Sequence, residues 1–480
     1  MEQTMKNTLG LLKITLVMIV ALVYLCHSGT SHAAPESRNS KQPNIIFIFA
    51  DDLGFGDLGC YGNKKIKTPY LDKMATEGLL FTNFSASSPV CSPSRVGIMT
   101  GHFPARHRIH YALGGKEHNK GFHMPDYIAP AIPTVTKLFQ SSGYVTAHFG
   151  KWHLGATNDA PAPVEYGIDV SSTHNSRDSN PIYVGVRAPD KTENLIDITI
   201  DFVEEHKDKP FFINCWLHDP HGVLAPSEEQ RSVYPELRSR ARGFTGTTQV
   251  YYAVISNVDK HIGRLLDKLD QLGLSENTLV VFSSDNGPSP IWGIGTAHSG
   301  AGDVGPLRGC KASLYEGGIR TPFIARWPGH TPAGQVDDTT VISGVDLLPT
   351  FCSLAGIKVT KDVKPDGLDM SQALLGNPVE RTKPLMWQYR YGPWGRHIQK
   401  SPALAMRDGD WKLMMNPNGS RTELYNLSKN PCEVDNLAHE YPDRVKRMSR
   451  QLLDWHNALP DVESMPVNTG SFEYPWPGKK

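Results

Sequence analysis

Four short polar clusters each follow an apolar run of the kind that forms a buried strand. They are Asp51-Asp52, Lys151-Trp152-His153, His218-Asp219-Pro220-His221 and Asp285-Asn286. Because ligands of open α/β sheets bind beyond the carboxyl ends of the strands, we expect all four clusters to meet at one edge. The two acidic clusters supply three carboxylates and one amide oxygen, which suit Ca²⁺ or Mg²⁺ better than zinc. One aspartate pair could merely cap a helix, but a second acidic pair in the same context favours a metal site.

Another candidate site begins at Cys91. The segment Cys91-Ser92-Pro93-Ser94-Arg95 predicts the start of a helix that runs to Thr100, with Ser92 as its N-cap and Pro93 as its first residue. Cys91 would then lie at the positive end of the helix, where an anionic oxygen or a sulfate group is favoured. Taken alone, Cys91 is better interpreted as a structural thiol.

The elements that must position these residues follow from apolar periodicity. Strands are predicted for the apolar runs Asn44–Ala50, Val145–His148, Phe211–Leu217, Leu279–Ser283 and Pro322–Trp327. Between them, Tyr251–Leu272 has the spacing of a helix with one apolar face, and Gly273 caps its end. Alternating strands and helices predict an α/β layer fold with a mainly parallel sheet.

The residue composition of the chain changes near residue 380. Aromatic-rich segments joined by turns such as Asp408-Gly409 and Asn418-Gly419 predict a small antiparallel sheet, and a helix is predicted from Pro442 to about Leu459. We therefore expect a catalytic domain at 35–375 and a C-terminal α+β subdomain at 376–480.

The N-terminus has the pattern of an export signal. Lys6 and Lys13 precede the apolar run from Ile14 to Cys26, which is too short to span a bilayer, and Ser31-His32-Ala33-Ala34 offers a cleavage point. A signal peptide at 1–34 predicts a secreted or periplasmic protein; a retained membrane anchor is the alternative. Six cysteines would remain in the mature chain, too few for a disulfide framework.

Charge is balanced across the 480 residues, with 49 basic and 49 acidic side chains. No global charge therefore attracts nucleic acid or an anionic membrane. An anionic substrate would have to be attracted by a local cluster of cations.

The Cys91–Arg95 segment, with Thr100-Gly101 following, resembles the signature of the formylglycine-dependent sulfatases of the alkaline phosphatase superfamily. The resemblance covers roughly residues 43–440, and its LYEGGIR and DLLPT stretches are similar to the N-acetylgalactosamine-6-sulfatase branch. Besides the polar clusters, the matching segments are Pro306-Leu307-Arg308-Gly309-Cys310-Lys311, Leu314-Tyr315-Glu316-Gly317-Gly318-Ile319-Arg320 and Leu424-Tyr425-Asn426-Leu427. The resemblance implies a large mixed, mainly parallel sheet sandwiched by helices, with a smaller C-terminal antiparallel sheet plus helix.

The resemblance also implies a chemistry. A maturation enzyme would oxidise Cys91 to formylglycine, whose aldehyde hydrates to a geminal diol. One hydroxyl attacks the sulfur of a sulfate ester, the alcohol departs, and the second hydroxyl expels sulfate. One Ca²⁺ would be held by an oxygen on the modified Cys91 together with Asp51, Asp52, Asp285 and Asn286.

The resemblance further assigns the charged and titratable side chains. Arg95 would orient the diol, and Lys151 and Lys311 would bind the sulfate oxygens and neutralise their charge. We expect His218 to be the general acid for the leaving oxygen and His153 to assist deprotonation of the diol, although the two could exchange roles.

A second set of residues could border the substrate. His221 would either touch the substrate or cap a loop, and the segment His102–Pro130 would shape the substrate pocket. Loop side chains that could line a carbohydrate subsite are Trp292, His298, Arg390, Trp394, Arg396 and His397. Cys310 departs from the family pattern, in which many members have glycine beside the lysine.

Three functions fit these observations. The first is hydrolysis of a sulfated carbohydrate, such as a galactose- or N-acetylgalactosamine-type sulfate. The second is hydrolysis of a phosphomonoester or phosphonate by the same superfamily. The third is a non-catalytic polysaccharide-binding protein in which Cys91 remains a thiol.

Overall fold

The apolar runs of the sequence form the centre of a large mixed sheet. Its strands in chain order are β1 (Asn44–Ala50), β2 (Leu79–Phe81), β4 (Val145–Lys151), β5 (Val170–His174), β6 (Phe211–Trp216), β7 (Thr278–Ser284), β8 (Phe323–Arg326) and β9 (Gln335–Asp337). Among the described residues their order is β5-β4-β6-β1-β7-β8-β2-β9. The five neighbouring strands β5, β4, β6, β1 and β7 pair in parallel. Strand β8 pairs antiparallel with both of its neighbours. The predicted mixed, mainly parallel sheet is confirmed.

Helices cover the sheet and connect its strands. They are α1 (Pro69–Thr76), α2 (Cys91–Thr100), α3 (Lys116–Gly121), α4 (Val135–Ser141), α5 (Lys191–Glu205), α6 (Glu228–Arg231), α7 (Thr247–Gln271), α8 (Glu316–Ile319), α9 (Leu347–Leu354), α10 (Ser371–Leu374) and α11 (Pro442–Asn457). The long α7 buries the apolar face predicted for it, and Gly273 follows it with φ 65°. Glycine adopts this left-handed conformation without a steric penalty, so the predicted stop is confirmed.

Both faces of the central strands are buried, and a separate apolar cluster fills each side of the sheet. Phe47 and Phe49 of β1 belong to one cluster, whereas Ile46 and Ile48 belong to the other. Successive side chains of a strand point to opposite faces, so the continuous apolar run in β1 is what a strand covered on both faces requires.

The predicted C-terminal antiparallel sheet is present. Its strands are β11 (Leu385–Gln388), β12 (Leu404–Asp408), β13 (Trp411–Met415) and β14 (Glu423–Asn426), paired in that order. A two-strand pair joins β3 (Phe84–Ser85) to β10 (Ile342–Ser343). The C-terminal sheet shares an apolar cluster with Val90, Leu314 and Tyr315, so its core extends to the segments that carry Cys91 and Lys311.

This computed structural model describes residues 42–155, 157–174, 189–238, 246–291, 297–390 and 400–460. The predicted signal peptide and the loop residues Trp292, Trp394, Arg396 and His397 lie outside these ranges. The described residues belong to one compact unit, and the division predicted at 375/376 stays a prediction. Within the described ranges, no helix is both long and apolar enough to cross a membrane, and the six cysteines are free thiols.

Candidate active site

The helix that carries the candidate nucleophile begins at Cys91 itself. The prediction that Ser92 is the N-cap is wrong: the N-cap is Val90, which is extended and makes no side-chain cap. The hydroxyl of Ser92 instead accepts a hydrogen bond from the backbone N–H of Leu113 at 2.9 Å. This bond ties the start of α2 to the segment 102–130. Every residue of α2 is buried, so Cys91 lies at the positive end of an enclosed helix.

The acidic clusters meet at Cys91, as the strand order requires. Ala50 and Ser284 are in register at the carboxyl ends of β1 and β7, so the residues that follow them are neighbours. Asp51 Oδ1 lies 3.3 Å from Cys91 Sγ. One ligand atom from each of Asp51, Asp52, Cys91 and Asp285 lies within 4.8 Å of the others. The predicted convergence of these four residues is therefore present.

Asn286 completes a set of hard oxygen donors. Its Nδ2 donates to Asp52 Oδ1 at 2.7 Å, and its Oδ1 is buried without a hydrogen-bond partner. A buried acceptor of this kind is costly unless something binds it. Three carboxylates and one free amide oxygen fit a Ca²⁺ ion by ligand chemistry.

Three cations face these carboxylates. Arg95 lies 2.7 Å from Asp285, and Lys311 Nζ lies 2.6 and 2.8 Å from the two carboxylate oxygens of Asp52. Lys151 pairs with Asp51. Lys311 also lies 3.4 Å from Cys91 Sγ, so the sulfur is flanked by a lysine and an aspartate.

The pKa values follow from burial and from these pairs. Burial alone would raise the pKa of Asp51, but Lys151 and other cations outweigh it and hold that pKa well below its ordinary value. Burial and the neighbouring Asp51 raise the pKa of Asp285 to about 7 despite Arg95. Burial, with Asp285 and Asp51, raises the pKa of the Cys91 thiol far above its ordinary value.

His153 is held in one tautomer. Its Nε2 lies 2.9 Å from the carbonyl oxygen of Leu113, which can only accept, so Nε2 carries the hydrogen. Its Nδ1 is buried without a hydrogen-bond partner. Burial, together with Lys151 and Arg95, lowers the pKa of His153 well below its ordinary value. A neutral ring of this kind presents a lone pair at Nδ1.

His218 and His221 lie at different distances from the centre. His221 Nε2 is 3.7 Å from Asp52 Oδ2 and belongs to a group with Asp51 and Cys91 whose ligand atoms lie within 4.8 Å of one another. His218 instead contacts His174, with 3.1 Å between His218 Nδ1 and His174 Nε2. Sequence reasoning missed His174 because β5 is short and polar, yet it ends beside Lys151 at the same sheet edge.

Two of the loop residues expected to line a carbohydrate subsite lie in the described ranges. Arg390 is buried and donates to the carbonyl oxygen of Phe122 at 3.1 Å, which joins it to the segment 102–130. His298 is partly buried, at the start of the turn Ser299–Ala301. Cys310 is partly buried beside Lys311, and burial followed by Asp52 raises the pKa of its thiol to about 12. A free thiol with so high a pKa is unreactive at neutral pH.

Comparisons with known proteins identify the family. The sulfatase family profile matches residues 43–357, and the profile "N-sulphoglucosamine sulphohydrolase, C-terminal" matches residues 310–458. The chain is 33% identical over 373 residues to the N-acetylgalactosamine-6-sulfatase of Canis lupus familiaris, covering 71% of this chain and 67% of that protein. It is 30% identical over 535 residues to the N-acetylgalactosamine-6-O-sulfatase of Bacteroides thetaiotaomicron, covering 93% and 99% of the two chains.

The fold agrees with this match. A crystal structure of Ps i-CgsB in complex with k-i-k-neocarrahexaose superposes with a TM-score of 0.71 and 25% identity, covering 86% of this chain and 92% of that chain. The chain therefore belongs to the sulfatase family, in the branch of the N-acetylgalactosamine-6-sulfatases and arylsulfatases, and it is a sulfuric ester hydrolase. The family resemblance and the alkaline phosphatase-like fold expected from the sequence are both confirmed.

Proposed function

We propose that this chain hydrolyses a sulfate ester on a carbohydrate through a formylglycine formed from Cys91. One observation carries the proposal: Cys91 Sγ lies 3.3 Å from an Asp51 oxygen and 3.4 Å from Lys311 Nζ, at the positive end of a buried helix. A sulfate ester is anionic, and Lys151, Lys311 and the start of the helix offer it positive charge at this position. Galactose- and N-acetylgalactosamine-type sulfates are the substrates we favour, because the relatives named above carry the latter in their names.

Cys91 is poorly suited to act as an unmodified nucleophile. Burial and the adjacent Asp285 and Asp51 raise the pKa of its thiol, so the nucleophilic thiolate is rare at neutral pH. A maturation enzyme would convert the side chain to an aldehyde, which is hydrated to a diol. One hydroxyl attacks sulfur and the alcohol leaves, and the second hydroxyl then expels sulfate and restores the aldehyde. The paired hydroxyls explain why release needs no further nucleophile.

The cations bind the sulfate oxygens and hold the nucleophile in place. Lys151 and Lys311 neutralise the oxygens as charge redistributes, a contribution that is worth most in a site without water. Arg95 is fully buried and paired to Asp285, so it orients the diol and fixes the neighbouring carboxylates rather than contacting solvent. These are the roles expected from the sequence.

The histidines divide the proton transfers. His153 is the base toward the diol, through the Nδ1 lone pair that its bond to Leu113 leaves free. For the general acid we favour His218, as expected from the sequence. Its buried Nε2 has no hydrogen-bond partner and carries the hydrogen when Nδ1 accepts from His174 Nε2, 3.1 Å away. His221 instead donates from Nδ1 to the carbonyl oxygen of Gly222 at 2.8 Å, and burial lowers its pKa, so its Nε2 has a lone pair and no proton to give.

Ca²⁺ would be held by Asp51, Asp52, Asp285, Asn286 and an oxygen on the modified Cys91. When bound, it supplies positive charge that lowers the pKa of the attacking hydroxyl. The chain's own contribution is to keep four oxygen donors together, against their mutual repulsion, by means of Arg95, Lys151 and Lys311.

Further parts of the proposal concern the setting of the enzyme. The predicted signal peptide at 1–34 favours a secreted or periplasmic protein. We propose a catalytic domain at 35–375 and a C-terminal α+β subdomain at 376–480, with Arg390 and the segment 102–130 bordering the carbohydrate. The partners are a sulfated carbohydrate and a formylglycine-generating enzyme, with no nucleic acid and no stable membrane insertion.

Turnover of matched aryl sulfate and aryl phosphate esters tests the proposal. We expect the sulfate to be preferred. We expect Cys91→Ala to abolish turnover of it and Lys311→Ala to leave only a small residual rate, while both proteins remain folded. A preference for phosphate would favour a phosphomonoester or phosphonate hydrolase. Near-normal rates in either variant would refute the assigned roles, and polysaccharide binding without turnover by the mature wild type would favour a non-catalytic protein.

A further inference from the structure

The segment 308–316, hereafter the lysine loop, carries Lys311. Two backbone hydrogen bonds attach this loop to neighbouring segments. The backbone N–H of Lys311 donates to the carbonyl oxygen of Pro288 at 2.9 Å, and that of Ala312 donates to Pro89 at 2.8 Å. Pro288 closely follows Asp285, and Pro89 closely precedes Cys91. Ala312 has φ 67°, a conformation that a residue with a Cβ adopts only when its surroundings impose it. These bonds fix the backbone at Lys311, and the contacts at the two ends of the loop supply the surroundings that impose the conformation of Ala312.

The first residue of the lysine loop is held by the C-terminal sheet. The Arg308 guanidinium lies 3.8 Å from the centre of the Tyr315 ring, and Arg308 Nη1 donates to Tyr425 Oη at 3.2 Å and to the Glu433 carbonyl oxygen at 3.0 Å. The hydroxyls of Tyr425 and Tyr315 both donate to Glu423 Oε2, at 3.1 and 2.8 Å. Tyr425 thus joins Arg308 to a strand of that sheet.

The end of the lysine loop is held by a buried lysine of the same sheet and by a buried glutamate that follows the sheet's last strand. Lys412 has no exposed surface and lies 2.7 Å from Glu316 and 2.9 Å from Glu433. Glu433 Oε2 also accepts the backbone N–H of Glu316 at 2.6 Å, and Arg320 pairs with Glu316 at 2.6 Å. Buried ion pairs add little net stability because desolvation offsets their attraction, but they can specify one arrangement of the chain.

We infer that the C-terminal sheet positions Lys311, with Tyr425 acting through Arg308 and Lys412 acting through Glu316. None of the contacts described for Tyr425, Lys412 or Glu433 reaches Cys91 or the acidic cluster, so these three are positioning residues. The inference rests on the proposed function, because it concerns how well Lys311 meets the sulfate oxygens. It assigns the C-terminal sheet a part in catalysis.

Tyr425→Phe tests this inference because it removes the hydroxyl and keeps the aromatic ring. We expect kcat/KM for an aryl sulfate to fall about tenfold, because the hydroxyl loses its bonds to Arg308 and Glu423 and Lys311 is then placed less accurately. Tyr144→Phe is the matched control: its buried hydroxyl donates to the Pro43 carbonyl oxygen at 3.0 Å, with no described contact to the lysine loop. The control should keep the wild-type kcat/KM, and both variants should unfold near the wild-type temperature.

A double-variant comparison separates positioning from a general loss of structure. In the Lys311→Ala background, whose residual rate is measured at high enzyme concentration with an activated aryl sulfate, Tyr425→Phe should cause no further loss. An equal fold loss in both backgrounds, or wild-type kcat/KM in Tyr425→Phe alone, would overturn the inference. If Lys311→Ala is itself as active as the wild type, it is the proposed role of Lys311 that fails.

Discussion

Arg95 and Asp285 form an ion pair in which neither side chain has exposed surface. Replacing Arg95 with Met leaves Asp285 buried without its closest cation, and we expect a loss of ~3–5 kcal/mol in the free energy of unfolding. Arg326→Met is the control, because its partners Glu77 and Asp270 are 35% and 46% exposed and can be hydrated. Chemical denaturation should show a much smaller loss for Arg326→Met; equal losses would contradict this account of Arg95.

The proposed role of His153 as a base predicts a change in kcat. Its Nδ1 is the only nitrogen free to take a proton, since Nε2 is bonded to Leu113. We expect His153→Ala to lower kcat for an aryl sulfate by ~10²–10⁴-fold, the usual contribution of a general base. His330 is exposed and outside the site, so His330→Ala should retain the wild-type kcat. A His153→Ala rate within threefold of wild type would exclude His153 as the base.

Most of the candidate site could be predicted because its residues follow strands at one sheet edge. Asp51, Asp285 and Lys151 come directly after or at the end of β1, β7 and β4, so the parallel order brings them together. The sequence could not predict how far the side chains of a single loop lie from the catalytic centre. His218 and His221 are three residues apart, and only their placement shows that His221 lies within 4.8 Å of Asp51 and Cys91 whereas His218 contacts His174.

Asp259 of α7 has a structural role at the level of elements. Helix α1 has no side-chain cap of its own, and the two oxygens of Asp259 accept the backbone N–H groups of Tyr70 and Leu71 at 3.2 and 2.7 Å. We expect Asp259→Ala to lower the free energy of unfolding by ~1–3 kcal/mol, because one buried and one partly buried backbone donor lose their acceptor. Asp259→Asn, which keeps one oxygen, should cost less; an unchanged stability in both variants would contradict this capping role.

The same carboxyl makes stability depend on pH. Burial raises the pKa of Asp259 from 3.8 to about 7, so between these values the folded protein binds a proton that the unfolded chain releases. Its stability relative to Asp259→Asn should therefore fall as pH rises from 4 to 7. Denaturation of both proteins across this range measures the difference. A difference that grows as pH rises would have the wrong sign.

Long apolar elements could be predicted from the sequence, whereas short ones could not. β1 and α7 have enough consecutive apolar positions to define a period. β2, β3 and β10 have two or three residues each, and β9 is largely exposed, so they depend on neighbouring strands for their pairing. The prediction that Ser92 caps α2 is wrong for a related reason: its hydroxyl bonds to Leu113, which is 21 residues away.

Cation binding should affect the molecule as a whole. The carboxylates of the site come from segments near residues 51 and 285, so an ion held between them stabilises the folded chain only. We expect Ca²⁺ to raise the unfolding temperature, with ~2.7 kcal/mol gained at 100 times its dissociation constant. Asp285→Asn should weaken this dependence. An unfolding temperature that does not respond to Ca²⁺ or to its chelator would contradict the proposed site.

Aromatic-rich segments joined by turns after about residue 380 predict a C-terminal subdomain with a small sheet, and the sheet is present. Its apolar cluster, however, includes Val90 and Leu314 from the segments around Cys91 and Lys311. Local patterns cannot reveal a core that is shared across more than 300 residues of sequence. For the same reason the sequence did not reveal the link between Lys412 and the lysine loop.

The most direct test is mass spectrometry of the peptide that contains residue 91, taken from active protein of the native host. We predict the mass of the aldehyde residue in place of cysteine, and trapping by a hydrazine reagent that is lost in Cys91→Ala. An intact Cys91 thiol throughout a fully active preparation would contradict the account.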